Sequence, residues 1–156
     1  MSPDLLDGPP PETLLLLLGH SEFASPERIL GGLDARLAAG HLPGAPHSIA
    51  EILAHMQANM LFNLDLIEGR EPPPRLDWRA VGEDEWPGLV TAFLETLATL
   101  SRHAESPDVL RRVIFPPTAT EPGWTAGYKL AVNVAKHNAY HLGQVVTLRQ
   151  LLSAWN

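Results

Sequence analysis

The sequence predicts an all-α protein, a four-helix bundle with long crossover connections. Three observations carry this expectation. Long stretches repeat apolar residues at spacings of three and four, no stretch sustains the alternation of a half-buried strand, and the prolines cluster between the periodic stretches. Most of the fifteen prolines fall in Pro9 to Pro11, Pro43 to Pro46, Pro72 to Pro74, Pro116 to Pro117 and Pro122. There a missing N–H donor interrupts no helix. A chain of 156 residues, 45% of them hydrophobic, suits one domain with one core. We divide it into an N-terminal segment, 1–24, with a short helix in the leucine run Leu14 to Leu18, and a bundle, 25–156.

The first clear helix opens at Ser25-Pro26, a cap residue followed by proline at the first helical position. It sets Ile29, Leu30, Leu33 and Leu37 on one stripe and stops at Gly40. The second opens at Ser48-Ile49-Ala50-Glu51, a capping-box pattern, and runs to a glycine stop at Gly69. The third begins near Asp84, repeats Trp86, Leu89, Val90, Phe93, Leu94, Leu97 and Leu100, and ends around His103 or Ala104. The fourth starts near Thr125 and stacks Leu130, Val134, Val145, Leu148 and Leu152 almost to the C-terminus. Residues 105–124 read as a proline-broken crossover with a short extended piece at Val113 to Phe115. None of these helices could bury its stripe alone, which argues for a bundle.

Composition excludes several functions. A net charge of −7, with Lys129 and Lys136 the only lysines, works against holding a phosphate backbone, so nucleic acid is not expected as a partner. The longest apolar run, Leu14 to Leu18, is too short for a signal-peptide core or a membrane span. No membrane partner and a cytoplasmic location are therefore expected. The absence of cysteine removes disulfides, thiolate metal sites and cysteine nucleophiles, and leaves histidines and carboxylates as the strong metal ligands.

Among seven histidines the informative pair is His137 and His141, because a separation of four puts both imidazoles on one helix face. That face is the apolar stripe, where a buried unsatisfied ring nitrogen costs on the order of 1–3 kcal/mol. A shared cation would satisfy both rings, and so would side chains or water. Spacing alone leaves these alternatives open. The zinc-protease pattern needs a glutamate after the first histidine, and here Asn138 stands in its place. A third ligand is available in His55, on a row of the second helix with Ile52, Asn59, Phe62 and Leu66. His20, His41 and His47 stand at helix ends and His103 at a helix C-terminus, and we read these four as structural or surface residues.

At these residues the chain resembles the DinB/YfiT-like putative metalloenzymes. The resemblance rests on Pro46-His47-Ser48-Ile49-Ala50-Glu51-Ile52-Leu53-Ala54-His55-Met56 and on His137-Asn138-Ala139-Tyr140-His141-Leu142-Gly143-Gln144, followed by Leu148-Arg149-Gln150 and Ala154-Trp155. It extends from about Ser25 onward. It implies a DinB-like four-helix bundle with a divalent metal held by His55, His137 and His141. It further implies chemistry of the metal-dependent transferase kind, with a low-molecular-weight thiol of the bacillithiol or mycothiol type as co-substrate. A metal-dependent hydrolase and a non-catalytic, stress- or damage-associated metal-binding bundle are the alternatives.

Three imidazoles leave a coordination position open, the arrangement of a catalytic rather than a closed site. Zinc and nickel both suit imidazole ligands, with zinc preferred, and a set of nitrogen donors disfavours calcium and magnesium. Asn59, Asn133 and Gln144 fall near the proposed ligands and are candidates to orient a substrate or a ligand-bonded water. No carboxylate falls within a turn of the histidine pair on its face, and Asp65 and Glu68 fall on the polar side of the second helix. The catalytic residues are unknown at this level, so any base must come from the ion's own water or from the substrate. The expected partner is a small molecule, with a homodimer left open.

Overall fold

The computed structural model describes residues 4–19, 23–74 and 78–156. Its centre is the helix α4, Ile49–Ile67. Ser48 Oγ accepts the Glu51 N–H at 3.1 Å while Glu51 Oε2 accepts the Ser48 N–H at 3.0 Å, which closes the capping box that the sequence predicts. The helix gives way at Gly69, whose φ of +75° suits a residue without a Cβ. From Ile49 to Met60 every residue but His55 and Ala58 is buried. A helix covered all round must lie inside the body. Around it pack the later helices α5, Trp86–Ala104, and α8, His137–Leu151.

The first helix expected from Ser25 to Gly40 is instead two short ones, α2, Pro26–Leu30, and α3, Ala35–Ala39. Gly31 and Gly32 divide them, with Gly32 at φ +66°, and Asp34 Oδ1 then accepts the Arg36 and Leu37 N–H groups to start α3. Ile29, Leu30 and Leu33 are buried as expected, whereas Leu37 is exposed. Buried Arg149 of α8 donates to Ile29 O at 2.6 Å and Gly31 O at 2.9 Å, and so ties the break to the body.

The helix α5 follows a 3₁₀ turn, Glu83–Glu85, and shows the regular apolar stripe of its sequence. The expected fourth helix starts at the Thr125 cap but is not α-helical throughout. It comprises α7, Ala126–Lys129, a π segment, Leu130–Lys136, and then α8. A π turn takes up extra backbone relative to an α turn and displaces everything after it about the axis. Pattern reading at a fixed period of 3.6 residues cannot see such a step.

The 105–124 crossover holds a short helix, α6, Pro107–Leu110, and the expected extended piece as strand β2, Val113–Phe115. This strand pairs antiparallel with β3, Gly123–Thr125, and β3 pairs parallel with β1, Leu5–Leu6. The body is thus predominantly helical, with a small three-stranded sheet in the order β1-β3-β2 that the sequence did not announce. Gly8 lies against the Gly127 backbone, where a Cβ would sit 2.3 Å from the Gly127 carbonyl carbon. The leucine-run helix α1, Pro11–Leu18, buries Leu14 and Leu18 in the common core against α5 and the π segment. No described helix is long and apolar enough to cross a membrane.

Candidate metal centre

His55, one of the two residues between Ile49 and Met60 of α4 that are not fully covered, lies beside the junction of the π segment and α8. His55 Nε2 and His137 Nε2 are 3.2 Å apart, and one ligand nitrogen from each of His55, His137 and His141 lies within 4.8 Å of the others. Two Zn–N bonds of about 2.0–2.1 Å at a tetrahedral angle would separate their nitrogens by about 3.3 Å. The His55–His137 spacing fits an ion between those two rings. Without one, the same 3.2 Å approach is a hydrogen bond in which one Nε2 carries the proton.

The third ring is prepared in a second way. His141 Nδ1 lies 2.7 Å from Gln144 Oε1, and an amide oxygen only accepts, so the proton sits on Nδ1 and Nε2 keeps its lone pair. Burial holds the His141 imidazole below its ordinary pKa, although the Gln144 bond works the other way and nearby His47 adds a further small lowering. Burial thus favours the neutral ring, the state a metal ligand requires.

The amides named from the sequence divide their work. Asn59 Nδ2 donates to the main-chain carbonyl of Asn133 at 2.6 Å, a bond between α4 and the π segment. The buried Asn133 Oδ1 meets no donor among the described residues. Asn138 is buried and turns its Nδ2 to Met60 Sδ at 3.3 Å, away from any role as a base beside His137.

Of the histidines assigned to the surface, His20 lies outside the described residues. His41 Nε2 reaches Glu51 Oε2 at 3.0 Å, and His47 Nδ1 stands 3.6 Å from the same oxygen. Burial, the largest single influence, pushes the Glu51 carboxyl up. The Ser48 N–H and the two histidines together outweigh it, and the net shift is downward. His103 meets Glu68 Oε1 at 2.8 Å, so it is fixed by a carboxylate and not by its helix end alone. That bond, ahead of all other influences, holds Glu68 below the usual carboxylate range. Asp65 and Glu68 also pair with Arg70 at the end of α4, apart from the centre.

Sequence reasoning missed Trp78. Its indole stacks on His47 at 3.7 Å and on His55 at 4.2 Å between ring centroids, and meets His141 edge-on at 5.9 Å. A tryptophan after a proline run, in a stretch without periodicity, carries no local signal of where its ring will lodge. Tyr140, two-thirds exposed, lies edge-on to His141 at 5.0 Å. A cleft of about 440 Å³ opens beside the centre, lined by His47, Ile52, Trp78, Tyr140, Gln144 and Leu148 among others. It meets the histidines across Trp78 and Gln144.

Chemically, the arrangement offers three imidazole nitrogen donors from two facing helices, a Gln144 oxygen that orients His141, and an aromatic cleft alongside. No protein-family model, curated protein or solved structure matches the chain, so the centre stands on its own geometry.

Proposed function

We propose that the chain is a DinB-like four-helix bundle that holds one divalent ion, zinc or nickel, on His55, His137 and His141. We further propose that it uses this centre to transfer a low-molecular-weight thiol to an electrophilic small molecule. The observation that carries the reading is the convergence of three imidazole nitrogens within 4.8 Å, one of them contributed from 82 residues upstream of the pair. A bound divalent cation would supply Lewis acidity, favouring thiolate over thiol at neutral pH.

The chain's own groups set the conditions for that chemistry. Gln144 holds the His141 proton on Nδ1, so the ring presents its lone pair. The indole of Trp78 covers one face of His55 and limits the water that reaches it. The cleft beyond is bounded by Ile52, Trp78, Tyr140 and Leu148, surfaces suited to an apolar or aromatic electrophile. The chain supplies no cysteine, so the sulfur nucleophile comes from solution.

The test is elemental analysis of protein purified without an affinity tag, then incubation of metal-loaded protein with a chlorobimane electrophile and bacillithiol, mycothiol, glutathione or cysteine. About one ion per chain, and metal-dependent conjugation abolished by His141→Ala, is the expected result. An ion without conjugation by any thiol would refute the transferase and leave hydrolysis or a metal-binding bundle.

A further inference from the structure

We infer that Asn59 is a positioning residue of the metal centre: its side-chain amide clasps a main-chain carbonyl of the π segment and so holds His137 in register with His55. The inference rests on the reading of the three histidines as ligands. In an uninterrupted α-helix the His137 N–H would close on the Asn133 carbonyl, four residues back. Instead the His137 N–H bonds to Val134 O. The Asn133 carbonyl takes the Asn59 amide at 2.6 Å.

The placement of these groups is what makes the bond a clasp. Asn59 is 4% exposed and lies one turn beyond His55, while Asn133 lies one turn before His137. The helices therefore meet on two successive rungs, His55 with His137 at 3.2 Å and Asn59 with Asn133 at 2.6 Å. Asn63, a turn further along, donates its Nδ2 to Asn59 O at 2.8 Å and approaches Asn59 Oδ1 at 3.5 Å. That second approach engages the oxygen of the Asn59 amide and leaves its nitrogen for Asn133.

A π segment is a rare backbone state that needs support from outside the helix. Were residues 130–136 to revert to α geometry, a one-residue change of phase would turn the rest of the helix by about 100° around its axis. His137 and His141 would then leave His55. A single cross-helix bond at Asn133 opposes that rotation at the point where the carbonyl departs from the α pattern.

The experiment uses the full chain and three variants. Asn59→Leu keeps the size and removes the donor, Asn59→Ser replaces the amide by a hydroxyl whose reach is about one bond shorter and adds no apolar bulk, and Gln57→Leu deletes another buried amide, one that faces α5 instead. One arm titrates Co(II) and follows its visible ligand-field bands. The other measures amide hydrogen exchange of the metal-free protein across residues 130–141. Both Asn59 variants are expected to weaken cobalt binding by about 10–100-fold, to alter the bands, and to lose protection across 130–141. Gln57→Leu should do none of these. Wild-type bands and affinity in the Asn59 variants, or changes no larger than those of Gln57→Leu, would overturn the clasp. If the wild-type chain takes up no cobalt, the metal reading falls, and the exchange arm decides the clasp: selective loss of protection supports it and unchanged protection refutes it. Should Asn59→Leu fail to fold, Asn59→Ser carries both arms.

Discussion

The neighbouring helices α4 and α5 are each 19 residues long, yet they are built on different plans. The α5 helix buries one apolar stripe, Trp86, Phe93, Leu97, Leu100 and Ala104, with Thr96 its single buried polar residue. The α4 helix is covered nearly all round and buries Glu51, Gln57, Asn59 and Asn63 as well as its apolar residues. Buried polar groups destabilise unless they are bonded. On α4 they are placed in bonds that position other groups: Glu51 in the cap and under two histidines, Asn59 across to the π segment, Gln57 across to Thr96 at 3.0 Å. The comparison separates scaffold from site within one helix pair. Burial on α5 serves stability, whereas part of the burial on α4 holds the groups around His55.

The comparison breaks if the centre can be removed without consequence for metal or if α5 matters to it as much as α4. The largest effect is expected from the ligands. The double variant His137→Ala/His141→Ala should lose essentially all bound divalent ion, as read by elemental analysis, and still give a helical circular dichroism spectrum. Equal metal content in the variant and the wild type would end the reading of the centre.

Next in size is the scaffold. Phe93→Ala on α5 removes a fully buried ring, and a loss of about 3–5 kcal/mol is expected in chemical denaturation. The folded fraction should keep its metal stoichiometry. A selective loss of metal at unchanged stability would show that the division between the two helices is wrong.

A smaller effect sharpens the comparison through pH. His141 is held below its ordinary value of about 6.5, so between its folded and unfolded pKa the unfolded chain binds more protons, and stability rises with pH. The metal-free protein should therefore lose stability as pH falls below about 6.5. Glu51 and Glu68, both lowered, add a further loss as pH falls through their own lower folded values. The variant His141→Gln should flatten the first part of this decline, and an identical decline in variant and wild type would remove His141 from it.

The smallest effect lies on the seam between the helices. Gln57 Nε2 donates to Thr96 Oγ1, but Gln57 Oε1 is buried with no donor among the described residues. Replacing both partners by apolar residues of similar shape, Gln57→Leu/Thr96→Val, should change stability by no more than about 1 kcal/mol, whereas Thr96→Val alone should cost more, because it leaves the Gln57 amide unpaired. A double-mutant cycle in denaturant measures the difference.

Local chemistry was legible throughout. The Ser48 capping box, the glycine exit at Gly69, the stripe of α5, the helix start near Thr125 and the extended piece at Val113–Phe115 each depend on residues within one or two turns. Even the break at Gly31-Gly32 was written in the chain, since two glycines before an Asp cap outweigh a run of well-spaced leucines.

Spacing and composition were enough to establish that the chain is predominantly helical, where α4 and α5 run, that His137 and His141 share a face, and that no thiolate of this chain could join them. Everything else waited on packing. The π segment, the Asn59 bond to Asn133, the lodging of Trp78 between His47 and His55, the meeting of His41 and His47 on Glu51, and the return of β1 to β3 depend on contacts between separate elements of the fold. Such contacts form only when whole faces pack, and the free energy that selects them is shared among many residues, so no short motif encodes them.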